Sequence, residues 1–147
     1  MIEQQNILSA TPATLVDLAR ERHVQGWRLV QICATTLGDT MQLDYAFDRH
    51  GTYEVLRLSL PSAAPRLASI SGVYWAAFIY ENELHDLFGI EVEGMAIDFK
   101  GTFYKTMVKY PFSAKNSVAP SVTATVVTPA LAPVSAPVAA PVAASAV

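Results

Sequence analysis

Glu81, Glu83, His85 and Asp86 fall within six positions of the stretch "YENELHDLFGIEVEG", residues 80–94. Residues of these types can hold a metal, move protons or dock a partner. A metal needs ligands on one side of the helix and further ligands from elsewhere. Glu81 and His85, four apart, can point together, but His23 sits near a helix end and His50 in a turn, so a complete ligand set is not evident. Glu83 and Asp86, three apart, have the spacing of an acid–base pair, which needs burial to raise one pKa. No nucleophile motif or phosphate loop accompanies them, and Gly72, Gly89, Gly94 and Gly101 are too scattered for a dinucleotide fingerprint. The remaining reading is a charged helix facing solvent or a partner.

A second segment, "FKGTFYKTMVKYPFSAK", interleaves lysines with Phe99, Phe103, Tyr104, Tyr110 and Phe112, as a single-strand nucleic-acid surface does. The net charge of −3 opposes nucleic-acid binding, which is mainly electrostatic. An arm along a neighbouring protein, with aromatic anchors and a lysine rim, suits the composition better. One cysteine, Cys33, allows no internal disulfide and falls short of the ligands of an iron–sulfur cluster. Its apolar run predicts a buried small residue, so any redox role must come from a neighbour.

The elements that position these residues can be read from periodicity. Thr11-Pro12 opens a helix and Gly26 ends it, with Leu15, Leu18 and Ala19 inward and Asp17, Arg20, Glu21 and Arg22 outward. Three strand-like runs follow, "WRLVQICATTL", "MQLDYAFD" and "YEVLRLSL", parted by turns at Gly38-Asp39 and Arg49-His50-Gly51. In the middle run Met41, Leu43, Tyr45 and Phe47 alternate with polar residues, the pattern of a sheet with one buried face. "ASIS" is a candidate fourth strand. In the helix after it, Tyr80, Leu84 and Leu87 share a face from which Glu81, His85 and Asp86 turn away.

All 10 Lys/Arg and all 13 Asp/Glu lie at or before Lys115, so a fifth of the first 115 residues is charged, as in a globular domain. The last 32 residues are uncharged and hold five of the nine prolines, four of them spaced every fourth residue. That spacing excludes a spanning helix and predicts a disordered, polyproline-like tail. The expected organisation is an α+β domain over 1–115, a mainly antiparallel sheet of about four strands with two helices on one face, and a disordered C-terminal tail over 116–147. No signal peptide is evident, and the expected location is the cytoplasm.

The run Glu81-Asn82-Glu83-Leu84-His85-Asp86-Leu87-Phe88-Gly89-Ile90, followed by Gly94, resembles the E-R-E-x-x-D-hydrophobic-hydrophobic-G-I signature of the thirty-kilodalton subunit of respiratory complex I. That family also includes the equivalent small subunit of membrane-bound, energy-converting [NiFe] hydrogenases. "SISGVYWAAFIYE" resembles the segment leading into the signature, and the resemblance covers roughly residues 10–98. Asn82 stands in place of the signature arginine, and Met95 and Phe99 replace later basic positions. These departures, with the short chain, favour the hydrogenase branch or a related ferredoxin- or formate-linked complex.

The resemblance implies a structural subunit, not catalytic by itself, that binds no cofactor or metal. It would pack against a large subunit carrying a nickel–iron site and near iron–sulfur subunits, peripheral on the cytoplasmic side of the inner membrane, with membrane contact only through partners. Glu81, Glu83, Asp86, Gly89 and Ile90 are the implied docking and signature residues, at least one acid meeting a basic residue of the large subunit and the others bracing local backbone. The alternatives are a thirty-kilodalton-type subunit of an NADH:quinone oxidoreductase and a soluble adaptor with a Pro-Ala tail.

Overall fold

A computed structural model describes residues 6–113; the predicted tail lies outside the described residues. The elements run β1 (Asn6–Ser9), α1 (Leu15–Val24), β2 (Arg28–Leu37), β3 (Thr40–Arg49), β4 (Thr52–Pro61), β5 (Arg66–Ala68), α2 (Ala77–Glu83), a π-helical turn (Leu84–Phe88) and β6 (Glu91–Glu93). The fold is α+β.

Strands β2, β3 and β4 form the antiparallel meander that alternation predicts, joined by two-residue turns. His50 and Gly51 both take positive φ, as the tight turn between twisted strands demands. Met41, Leu43 and Tyr45 lie opposite Leu60, Leu58 and Leu56, and all six are essentially inaccessible. Burying each such side chain contributes about 1.5–3 kcal/mol, so a one-residue slip that exposed this row would be costly. The order in the main sheet is β1-β4-β3-β2, with β1 parallel to β4, so the sheet is mixed. Its fourth strand is therefore the N-terminal Asn6–Ser9, not "ASIS". In that segment only Ala68 is in a strand, and β5 pairs with β6 in a separate two-stranded sheet.

Helix α1 is framed much as its sequence predicts. Thr11 and Thr14 exchange side-chain-to-amide bonds of 3.1 and 3.3 Å, a reciprocal cap at the first turn. At the other end Trp27 N–H donates to Arg22 O and Gly26 N–H to His23 O, with Gly26 at φ +80°, a Schellman stop. Arg22 departs from expectation, being buried rather than outward. Leu15, Ala19 and Arg22 follow the i, i+4, i+7 spacing of one helical face, which brings Arg22 over the sheet. Its Nε donates to Glu54 Oε1 at 2.8 Å, and Asn6 Nδ2 donates to Glu54 Oε2 at 3.2 Å. A buried pair satisfied in this way ties α1, β1 and β4 into one register.

Helix α2 packs on the same core through Ala77, and the π-helical turn that continues it packs there through Leu84. The register of β2 slips between Leu29 and Gln31, and the Tyr80 hydroxyl donates to the Val30 carbonyl at this bulge (3.1 Å). The helix carrying the acidic cluster is thereby fixed to the sheet's edge strand.

Candidate docking site

Two of the three signature acids face inward. Glu81 is wholly buried and Asp86 5% exposed, whereas a charged helix facing solvent or a partner was expected. In an ideal α-helix residues five apart sit about 140° from each other, so both acids would not share an inner side. The π-helical turn Leu84–Phe88 widens the winding between them. Irregular loops then pack around the helix, burying flanks that an amphipathic projection leaves wet.

Each inward residue holds a different loop. Glu81 Oε1 accepts from Ile70 N–H (2.7 Å) and Oε2 from the Ser69 hydroxyl (2.6 Å). Ser71 Oγ, 2.6 Å from Ser69 Oγ, accepts from Ala96 N–H (2.8 Å), extending the network. Asn82, also fully buried, donates to Phe78 O (2.7 Å) and Ile97 O (2.8 Å) and accepts from Phe99 N–H (2.9 Å). Asp86 Oδ2 accepts from Tyr104 N–H (2.8 Å), while Oδ1 lies 2.9 Å from His85 Nδ1. Leu87 O accepts from Phe112 N–H (2.9 Å). The signature is thus a spine to which loops 69–71, 96–104 and 110–112 are pinned. The lysine-aromatic segment, expected to lie along a neighbour, has its base on the chain's own helix.

Burial raises the Glu81 pKa above the ordinary value, and the hydrogen bonds from Ser69, Ile70 and Ser71 oppose it only in part. Burial, and then the Glu81 charge, also push the Tyr45 hydroxyl up; among the described residues that hydroxyl has no hydrogen-bond partner. In both groups burial works against the charged form, and no ion pair balances Glu81 among the described residues.

Gly89 ends the helix at φ +74°, and a Cβ there would stand 3.0 Å from the Tyr110 ring. Replacing Gly89 by alanine should cost about 2 kcal/mol, from left-handed strain and displacement of Tyr110, measured as a shift in the denaturation midpoint. Ile90 is fully buried in the core. Asp86→Ala should leave the sheet intact but release the Tyr104 amide, whose hydrogen exchange should accelerate at least about ten-fold.

Glu83 differs from the other two acids. It is half-buried, and among the described residues its carboxylate has neither a hydrogen bond nor an ion-pair partner. One helical turn before it stands Ile79 (43% exposed), and just before the helix begins lies Trp75 (63% exposed), 5.6 Å ring to ring from Phe78. Cys33 is exposed rather than buried, because it alternates onto the sheet's wet face opposite Asp44. Local burial, Asp44 and then Glu83 raise its thiol pKa, making it a weaker nucleophile at neutral pH.

Among the described residues no group of three or more His, Cys, Asp or Glu side chains is arranged to hold a metal, and no helix is long and apolar enough to cross a membrane. Asn82 was the residue the sequence undervalued. It stands out in sequence only as a departure from the arginine of the signature, while its two bonds to loop backbone depend on where residues 97–99 return.

The sequence model of the respiratory-chain NADH dehydrogenase 30 kDa subunit matches residues 8–119. No curated protein matches the chain. Among solved structures, a chain of the membrane-bound sulfane sulfur reductase, an archaeal respiratory membrane complex, superposes with a TM-score of 0.69 at 20% identity, covering 80% of this chain and 75% of that one. The trypsin-resistant fragment of Nqo5 superposes with a TM-score of 0.56 at 19% identity, covering 63% of this chain and 82% of that one. At these identities the structural likeness is one of fold.

Proposed function

Since the chain belongs to the respiratory-chain NADH dehydrogenase 30 kDa subunit family, we propose that it is a non-catalytic structural subunit of the hydrophilic arm of a membrane-associated oxidoreductase complex, docked through Glu83. The observation that carries this reading is the contrast among the three signature acids. Glu81 and Asp86 spend their hydrogen-bonding capacity on their own loops, whereas Glu83 is left half-buried and, among the described residues, unpaired, one helical turn after exposed Ile79 on a helix that exposed Trp75 precedes. A carboxylate so placed is matched by an arginine or lysine of a partner, with the two apolar side chains as anchors.

The preferred parent is an energy-converting [NiFe] hydrogenase or a related ferredoxin- or formate-linked complex. The chain then packs against the large subunit near iron–sulfur subunits, on the cytoplasmic side of the inner membrane. Asn82, Met95 and Phe99 at signature positions support a parent outside the quinone-reducing branch. A complex I-type parent is the second reading, favoured by the family description itself.

Affinity purification of the tagged chain from its native membranes, with mass spectrometry and metal analysis, separates the two. Nickel and iron with a hydrogenase-type large subunit support the first, and iron and flavin without nickel support the second. A chain that purifies alone contradicts both and returns the adaptor reading.

A further inference from the structure

All four lysines of the chain lie between positions 100 and 115, and no acid follows Asp98. Five of the six arginines pair with carboxylates of the chain, and Arg49 lies over the Trp27 ring. Lys100 is held by Asp98 (2.6 Å), but among the described residues Lys105 has no acidic partner. Outside the described residues the only acid of the sequence is Glu3.

The loop is also held in shape. Asn82 fixes Phe99, Asp86 fixes Tyr104, and Leu87 O fixes Phe112. Thr102 and Thr106 hydroxyls donate to Phe99 O and Val108 O. On this frame Met107 projects fully exposed, beside half-exposed Val108 and Tyr104 and a shallow cleft lined by Gly101, Thr102, Lys105 and Lys109.

We propose that the loop 100–109 is a second docking surface, whose occupant is a protein offering an acidic patch beside an apolar cleft that takes Met107. The proposal deepens the reading above, since it rests on the chain being one subunit of an assembly. A protein suits the surface better than an anionic membrane. The loop 100–109 holds three lysines, one of them held by Asp98, against the four to eight basic residues of a lipid-binding cluster, the chain as a whole is negative, and a braced loop offers a fixed shape. Its sign is opposite to that of the Glu83 face, so the two surfaces select different partner chemistry.

The test uses the full-length tagged chain in its native host, as wild type, Lys105→Glu and Met107→Asp. Retention of co-purifying subunits is measured at low and high salt, alongside flotation of the wild type with vesicles containing phosphatidylglycerol. Each variant should lose at least about ten-fold in retention of a partner, with unchanged thermal melting. The wild-type contact should weaken with salt. Wild-type retention by both variants, beside a wild type that holds its partners, overturns this inference alone. Flotation that Lys105→Glu abolishes overturns it in favour of a membrane. A wild type with no stoichiometric partner overturns the subunit reading and this inference with it.

Discussion

Glu81→Ala is expected to destabilise the domain by about 3 kcal/mol, measured by chemical denaturation of the purified chain. The substitution leaves the Ile70 amide without its acceptor, at a cost of about 1–3 kcal/mol, and opens a cavity in a packed site. Relief from burying a carboxylate without a counter-ion offsets part of this. Glu81→Gln keeps the volume and an acceptor and should cost only about 1 kcal/mol. The pair also reports on pH. A carboxyl whose folded pKa lies above its unfolded value binds its proton more tightly when folded. Its contribution is therefore fully present below the ordinary value of 4.5 and is lost as pH rises through the folded pKa. The stability of the wild type minus that of Glu81→Gln should fall as pH increases from about 4.5. A difference that rises instead would mean that the hydrogen bonds outweigh burial and that Glu81 is held as the anion.

Glu83→Arg should do the reverse, with assembly lost and the domain intact. Glu83 has no hydrogen bond to lose among the described residues, so the melting temperature of the isolated chain should stay within about 2 °C. In the assembled complex the substitution sets like charges against each other across a desolvated contact. The loss should be at least about 2 kcal/mol, roughly thirty-fold in retention of the large subunit. Glu83→Gln, which removes charge without repulsion, should fall between. Loss of folding by Glu83→Arg, or full retention of partners, would each remove Glu83 from the docking role.

Strands β2 to β4 and both hairpin turns were legible in the sequence because a period of two and two-residue turns are local properties. The N-terminal strand was not, since Asn6–Ser9 is short and its place is set by parallel pairing with β4, 48 residues away. The acids at 81, 83 and 86 were visible as special, but their division of labour was not. It depends on the π-helical turn and on loops that return from positions 69–71 and 96–104. Arg22 is buried, against the outward position its charge predicts, because the i+7 spacing carries it back over Glu54. Cys33 is exposed, against the burial its apolar run predicts, because every second residue of this strand faces the sheet's wet side. Local patterning fixes the meander, and residues whose roles are set by distant chain return need the fold before they can be interpreted.

The central claim is that Glu83, unlike its two neighbours in the signature, reaches outside the chain. The most direct measurement is the distance from the Glu83 carboxylate to the nearest guanidinium or ammonium in a structure of the purified complex. The account predicts an arginine or lysine of the large subunit within about 4 Å, with Trp75 and Ile79 covered by the same partner. A Glu83 carboxylate facing solvent, with Trp75 and Ile79 still exposed, would contradict it.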